Sequence, residues 1–253
     1  MRQSLDIIQA EQLDEVASLK LEAFGKLDLV NLILQRSEVL YDVPRSGQVI
    51  RAWNEGDMAP IQAQVERLGP EIARRAAAAI QQEYLALRPL LAELKPRRIA
   101  DIGCGYAFFD LFAARDLKAR LLLIDLETNE RRHFGFAEAG AAYSSLAVAR
   151  AFLQENGVPL TSIELLNPAT TDPLSSGKVD LAVSFLSCGF YYPVDAYLEY
   201  FDRAVAPDGA IILDLREANA GPQLAALGQL GAITDLAAPP KARRILLRKG
   251  RAA

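Results

Sequence analysis

The strongest chemical signal in this 253-residue chain is a turn. The stretch RRIADIGCGYAFFDLFAARD, Arg97 to Asp116, runs from a short apolar segment through Gly103 and Gly105 into a helix-prone segment. A strand, a glycine-rich turn and a helix in that order form a place where a nucleotide-type ligand can sit. The dinucleotide fingerprint G-x-G-x-x-G/A fails here. Counted from Gly103, its last small residue falls on Phe108, and a phenylalanine obstructs close packing of helix on strand. The P-loop pattern fails too, because no Gly-Lys-Ser/Thr follows. What remains is acid-x-Gly-x-Gly-x-small, from Asp101 to Ala107. A second acid, Asp125, ends the next apolar run about twenty residues after Gly105.

Two further stretches hold residues able to do chemistry. ETNERRHFGFAEAG, Glu127 to Gly140, is longer than a strand-to-helix connection needs. It holds Arg131, Arg132 and His133, the only histidine of the chain. As a lid, its arginines would recognise an acidic group on a substrate, and His133 has the near-neutral pKa of a general base. The same residues also read as a solvated basic helix start. SGQVIRAWNEGD holds the only tryptophan, Trp53, beside Arg51 and Asn54. A polar loop with one large aromatic either closes over a substrate or anchors the helices around it.

These residues must be positioned by two parts of unlike character. Residues 1–95 read as helical: LDEVASLKLEAFGKLDLVNLILQRSEVL spaces its apolar residues by three and four, with a break at Gly25. A further helix starts near Pro60, and PEIARRAAAAIQQEYLALRPLLAELK is strongly helix-prone, with Pro89 set to kink or divide it. From residue 96 to 253 short apolar runs alternate with helical patterns. RRIADIG, RLLLIDL, SIELLN, VDLAVSFL and GAIILDL read as buried strands. The tail GAITDLAAPPKARRILLRKG supplies two more, joined through Pro239 and Pro240. The expected fold is α/β: a Rossmann-like, doubly wound, mainly parallel sheet with a helical N-terminal extension.

The turn, the second acid, the strand KVDLAVS and the later APDGAIILDL together resemble the class I S-adenosylmethionine-dependent methyltransferases, over roughly Arg97 to Leu247. The resemblance implies S-adenosylmethionine as cofactor, a sulfonium with an amino-acid end and no pyrophosphate. A turn without lysine or arginine suits it. By the resemblance, Gly103, Gly105, Tyr106 and Ala107 line the cofactor, and Asp101 holds the methionine ammonium. Asp125, with Glu127 as a second candidate, accepts from the ribose hydroxyls; Asn167 meets adenine, and Ser184 joins the cofactor set. Helix capping is the alternative role for Asp101 and Asp125. Ala107 departs from the usual third glycine. Its cost is small if the backbone is ordinary there and on the order of 1 kcal/mol if it is left-handed.

The family places substrate groups after the fourth strand, here SFLSCGFYYPVD, with Ser187, Cys188, Phe190, Tyr191 and Tyr192. These residues line a substrate site as a group, or pack as core at a strand end. With Trp53, Arg131 and Arg132 they complete the substrate-binding candidates; His133 and Tyr191 are the catalytic ones. The segment lacks the motifs of base-amine and cytosine methylation and the clustered acids of metal-dependent catechol-type enzymes, so no metal is expected.

Composition narrows the rest. Hydrophobic residues make up 51% of the chain, enough for a real core, and the net charge of −4 gives no footprint for nucleic acid. Two cysteines, no signal peptide and no membrane-length apolar run lead us to expect a cytoplasmic protein. The expected reaction is methylation of a small-molecule acceptor, at an oxygen of a sugar or other polar metabolite. The N-terminal helices would serve substrate specificity or a homodimer contact. Two rivals stand beside it: a protein of this fold without catalysis, and a nicotinamide-dependent oxidoreductase.

Overall fold

The computed structural model describes residues 2–127 and 144–250. They fall into two compact units that interleave along the chain: Met1–Leu87, Gly105–Phe112 and Glu127–Val158 form one; Arg88–Cys104, Ala113–Leu126 and Pro159–Ala253 form the other. In chain order the helices are α1 (Arg2–Glu11), α2 (Asp14–Ala17), α3 (Lys26–Gln35), α4 (Gly47–Asn54), α5 (Ala59–Leu68), α6 (Glu71–Leu94), α7 (Phe108–Leu117), α8 (Leu146–Glu155), α9 (Leu198–Arg203) and α10 (Ala220–Leu227). The strands are β1 (Arg98–Ile102), β2 (Arg120–Ile124), β3 (Ile163–Leu166), β4 (Val179–Ser184), β5 (Val205–Arg216), β6 (Gly231–Leu236) and β7 (Ala242–Lys249).

All seven strands lie in the second unit and form one sheet, in the order β3-β2-β1-β4-β5-β7-β6. The first five are parallel; β7 pairs antiparallel with β5 and with β6. Strands buried along most of their length need continuous apolar runs rather than alternation, which is what RIADI and RLLLI supply. The edge strand β6 alternates in exposure instead. The core runs through Ile102, Ile124, Leu213, Leu215, Ile245 and Leu247, all fully buried. Between β5 and β7 the opposite-charge partners Asp214 and Arg244 face each other in register and form a bidentate ion pair at 2.6 and 2.8 Å. From β1 the chain builds outward through β2 to β3, then returns to place β4 on the other side of β1. Ligands of such sheets sit at the carboxyl ends of the strands flanking this reversal.

The first unit is helical. Gly25 precedes α3, and Asp28 accepts from the Gly25 N–H at 2.9 Å, closing that helix's first turn. Pro60 occupies the first turn of α5, where a missing N–H costs nothing. Pro89 lies within α6, which continues past it to Leu94. The sequence reading places no helix between the fifth strand and the tail. The structure has α10 there: its Gly221 and Pro222 mask a helical signal, and burial of Ala220, Gln223 and Leu227 holds it. No helix among the described residues is long and apolar enough to cross a membrane.

Candidate functional site

In the sheet unit, Asp101 lies in β1 and is only 3% exposed. Beyond the strand, Gly103 takes φ of +77°, and its N–H donates to the Ile124 carbonyl at 2.7 Å. A Cβ on Gly103 would lie 2.0 Å from the Ser187 Oγ and 2.4 Å from the Ser187 Cβ. Both the backbone angle and this approach require glycine. The open face of Gly103 is therefore taken by the chain's own Ser187.

Ser184, at the end of β4, is fully buried. Its hydroxyl donates to the Ile102 carbonyl at 2.7 Å and accepts from the Cys188 N–H at 2.9 Å. It staples the carboxyl ends of β1 and β4 and starts the segment that follows. Asp125, half-buried just after β2, donates its backbone N–H to Leu166 at 3.2 Å. Its carboxylate is felt by Tyr192 and Tyr197. Burial first, then Cys188, and with them Asp125, push both phenols above the ordinary tyrosine range. For Tyr192 the 3.5 Å hydrogen bond from Ser187 acts the other way. Neither phenol is a base near neutral pH, and both remain donors. Asn167, after β3, uses its side-chain oxygen to accept the Ala169 N–H at 2.9 Å, an Asx turn.

The segment after β4 is held from several sides. Leu186 has φ of +51° and Gly189 of +88°. A left-handed leucine is uncommon and needs a surrounding structure that enforces it. That structure includes Gln223 of α10, which accepts from the Val194 N–H at 3.0 Å and donates to the Gly189 carbonyl at 2.9 Å. Cys188 belongs to the core cluster; burial, and then Asp195, push its thiol up to about 12. Phe190 and Tyr191 meet edge to face with centroids 5.3 Å apart, and Tyr191 is 47% exposed. Arg216, the last residue of β5, lies over both rings, 4.4 Å from the Phe190 centroid and 5.8 Å from that of Tyr191.

The remaining expected residues belong to the helical unit. Gly105 has φ of +56°, and a Cβ on it would come no nearer than 3.5 Å to the Gln35 oxygen. Ala107 has φ of +60°, the left-handed case, and its carbonyl accepts the Leu111 N–H to start α7. Tyr106 is 2% exposed; its hydroxyl donates to Asp28 at 2.9 Å and accepts from Asn31 at 3.1 Å, both on α3. Phe108 stacks on Phe24 at 5.6 Å and meets Phe152 edge-on at 4.9 Å. Glu127 accepts the Leu146 N–H at 3.1 Å, at the first turn of α8. Trp53 is buried within α4. Arg131, Arg132 and His133 lie outside the described residues. Among the described residues no group of three or more His, Cys, Asp or Glu is placed to hold a metal ion.

Sequence reasoning missed Arg216 and Gln223. Arg216 carried a signal: it directly follows the GAIILDL run, at the strand end where ligands are expected. Gln223 carried none, because its role depends on a helix the sequence disguises.

No family model and no curated protein matches this chain. Among solved structures, a candidate O-methyltransferase from Nostoc punctiforme matches with a TM-score of 0.51 at 12% identity, over 71% of this chain and 59% of that one. This chain thus spans 59% of that protein's length. A ribosomal protein L11 methylase from Lactobacillus delbrueckii subsp. bulgaricus matches with a TM-score of 0.49 at 18% identity, over 70% and 80% of the two chains. A methyltransferase from Geobacter sulfurreducens gives 0.47 at 18%, over 66% and 79%. With the parallel order β3-β2-β1-β4-β5 and the glycine turn after β1, the chain has the fold of the class I S-adenosylmethionine-dependent methyltransferases.

Proposed function

We propose that this protein is an S-adenosylmethionine-dependent methyltransferase acting on a small-molecule acceptor, at an oxygen of a sugar or other polar metabolite. The observation that carries the reading is the pair of acids at adjacent parallel strand ends: Asp101 buried in β1 and Asp125 just past β2, beside a glycine turn without cations. Such a set of acceptors suits an ammonium and ribose hydroxyls and does not suit a pyrophosphate. Asp101 would hold the ammonium and Asp125 the hydroxyls. Glu127 would add its second oxygen, since its first caps α8. The Asn167 amide NH2, with the oxygen engaged in its turn, is the group left for adenine. Bound there, the cofactor supplies an electrophilic methyl group on a sulfonium.

The rest falls to the chain's own side chains. Phe190, Tyr191 and Tyr192 would exclude water and orient the acceptor. Tyr192 keeps its proton at neutral pH and would serve as a donor, while Cys188 packs in the core behind the segment. A base for a hydroxyl acceptor falls to His133 or Tyr191, the candidates left. Residues 1–95 would add substrate cover or contacts with a second copy. The test is transfer of labelled methyl from S-adenosylmethionine to a panel of sugars and polyols. Labelled product supports the proposal. Tight cofactor binding with no transfer to any acceptor would overturn it.

One observation favours a second reading, a protein of this fold that has lost catalysis. Ala107 is left-handed, so the turn is strained by about 1 kcal/mol where glycine would relax it. Nothing similar favours a nicotinamide oxidoreductase: Phe108 is packed between Phe24 and Phe152, where a dinucleotide turn needs a small residue.

A further inference from the structure

We propose that Arg216 recognises a carboxylate on the molecule that this site methylates; the inference rests on the methyl-transfer reading and names the acceptor's chemical class. Arg216 ends β5, three residues beyond Leu213, which pairs in register with Ser184 at the end of β4. It therefore stands at the carboxyl edge of the sheet, beside the segment Ser187–Tyr192.

Its guanidinium is fixed before any ligand arrives. The Nε–H donates to the Phe190 carbonyl at 2.8 Å, and the backbone N–H to the Gly189 carbonyl at 2.9 Å. The guanidinium carbon lies over the Phe190 ring, with Tyr191 forming the second wall. An arginine tethered through Nε and stacked on a ring loses little further freedom when its two terminal nitrogens bind a ligand.

Those two nitrogens have no carboxylate partner among the described residues. Several other arginines of the sheet unit are paired with acids. Arg244 is held by Asp214, Arg98 by Glu164, Arg243 by Asp235 and Arg248 by Glu93. Asp214 lies two residues before Arg216 on the same face of β5, yet it is already saturated by Arg244. A half-buried guanidinium in a chain with an excess of acids, at the ligand edge and without an acid of its own among the described residues, is suited to a planar oxyanion from outside. A carboxylate matches its fork. The exposed Tyr191 ring would give the body of an acceptor an apolar face to lie against.

The test uses the full chain with S-adenosylhomocysteine present and two acid/neutral probe pairs: glucuronate against glucose, and 4-hydroxybenzoate against 4-hydroxybenzamide. Affinities are measured by calorimetry. At least one acid should bind about tenfold or more tightly than its neutral partner. Arg216→Gln should erase that preference, and Arg216→Lys should restore only part of it, because a point charge lacks the bidentate fork. Cofactor affinity should stay at the wild-type value in both variants, and the thermal midpoint should fall by no more than about 5 °C, the cost of the lost Phe190 contacts. Absence of acid preference in both pairs, or a preference that survives Arg216→Gln, would overturn the proposal. So would tighter, Arg216-dependent binding of glucose 6-phosphate, which would assign the site to phosphate. If the cofactor does not bind but an Arg216-dependent acid preference remains, the methyl-transfer reading fails while the carboxylate site stands.

Discussion

The turn after β1 and the segment after β4 leave neighbouring parallel strands, and both contain left-handed residues that are not glycine: Ala107 at +60° and Leu186 at +51°. They differ in what the strained backbone presents. The turn offers glycines and the acid Asp101, and keeps side chains small or turned away. Even the Tyr106 hydroxyl is bound by Asp28 and Asn31. The β4 segment offers rings, over which Arg216 of β5 lies; it is pinned by Ser184 and Gln223 and anchored in the core by Cys188. Similar backbone strain thus accompanies unlike chemistry: glycines and a buried acid at one, aromatic rings beneath an arginine at the other. The two segments meet where Ser187 lies against Gly103.

That contact is the place to break the comparison hardest. Gly103→Ala should destabilise the protein by about 2–4 kcal/mol, combining a left-handed alanine with overlap of Ser187. Adding Ser187→Gly should return only the overlap part, and urea unfolding of the two variants measures the split. Next in size is the acidic side. Asp125→Ala should weaken S-adenosylmethionine binding by about tenfold to a hundredfold by calorimetry, through loss of charge-assisted hydrogen bonds. Thermal stability should change little, since Asp125 is only half-buried.

Smaller still is Ala107→Gly. It should stabilise the protein by at most about 0.5 kcal/mol, the relief of a left-handed Cβ less the extra freedom of the unfolded chain. A lower urea midpoint would show that the alanine methyl packs better than its angle suggests. The smallest effect belongs to Cys188. With its thiol pushed up to about 12 and fully buried, iodoacetamide should leave it unmodified between about pH 7 and 9, read by peptide mass. Labelling that rises steeply across that range would mean a thiolate exposed by opening of the β4 segment.

The sheet was legible because its strands are buried, so RRIADIG, RLLLIDL and VDLAVSFL appear as unbroken apolar runs. The turn was legible from spacing, since Gly103 and Gly105 sit where only positive φ serves. The conformation of Ala107 was not, because alanine fits either region and the packing decides. The roles of Ser184, Glu127 and Gln223 were hidden for another reason. A serine staple, a carboxylate capping α8 and an amide bracing a loop exist only once distant segments meet. Arg216 was passed over because an arginine at a strand end looks like any solvated charge until its rings are in place.

Calorimetric titration of S-adenosylmethionine into the full chain, run beside NAD, tests the central claim most directly. The account predicts saturable one-site binding of S-adenosylmethionine, weakened in Asp125→Ala, and no binding of NAD. Absence of heat with millimolar S-adenosylmethionine, or tighter binding of NAD, would contradict it.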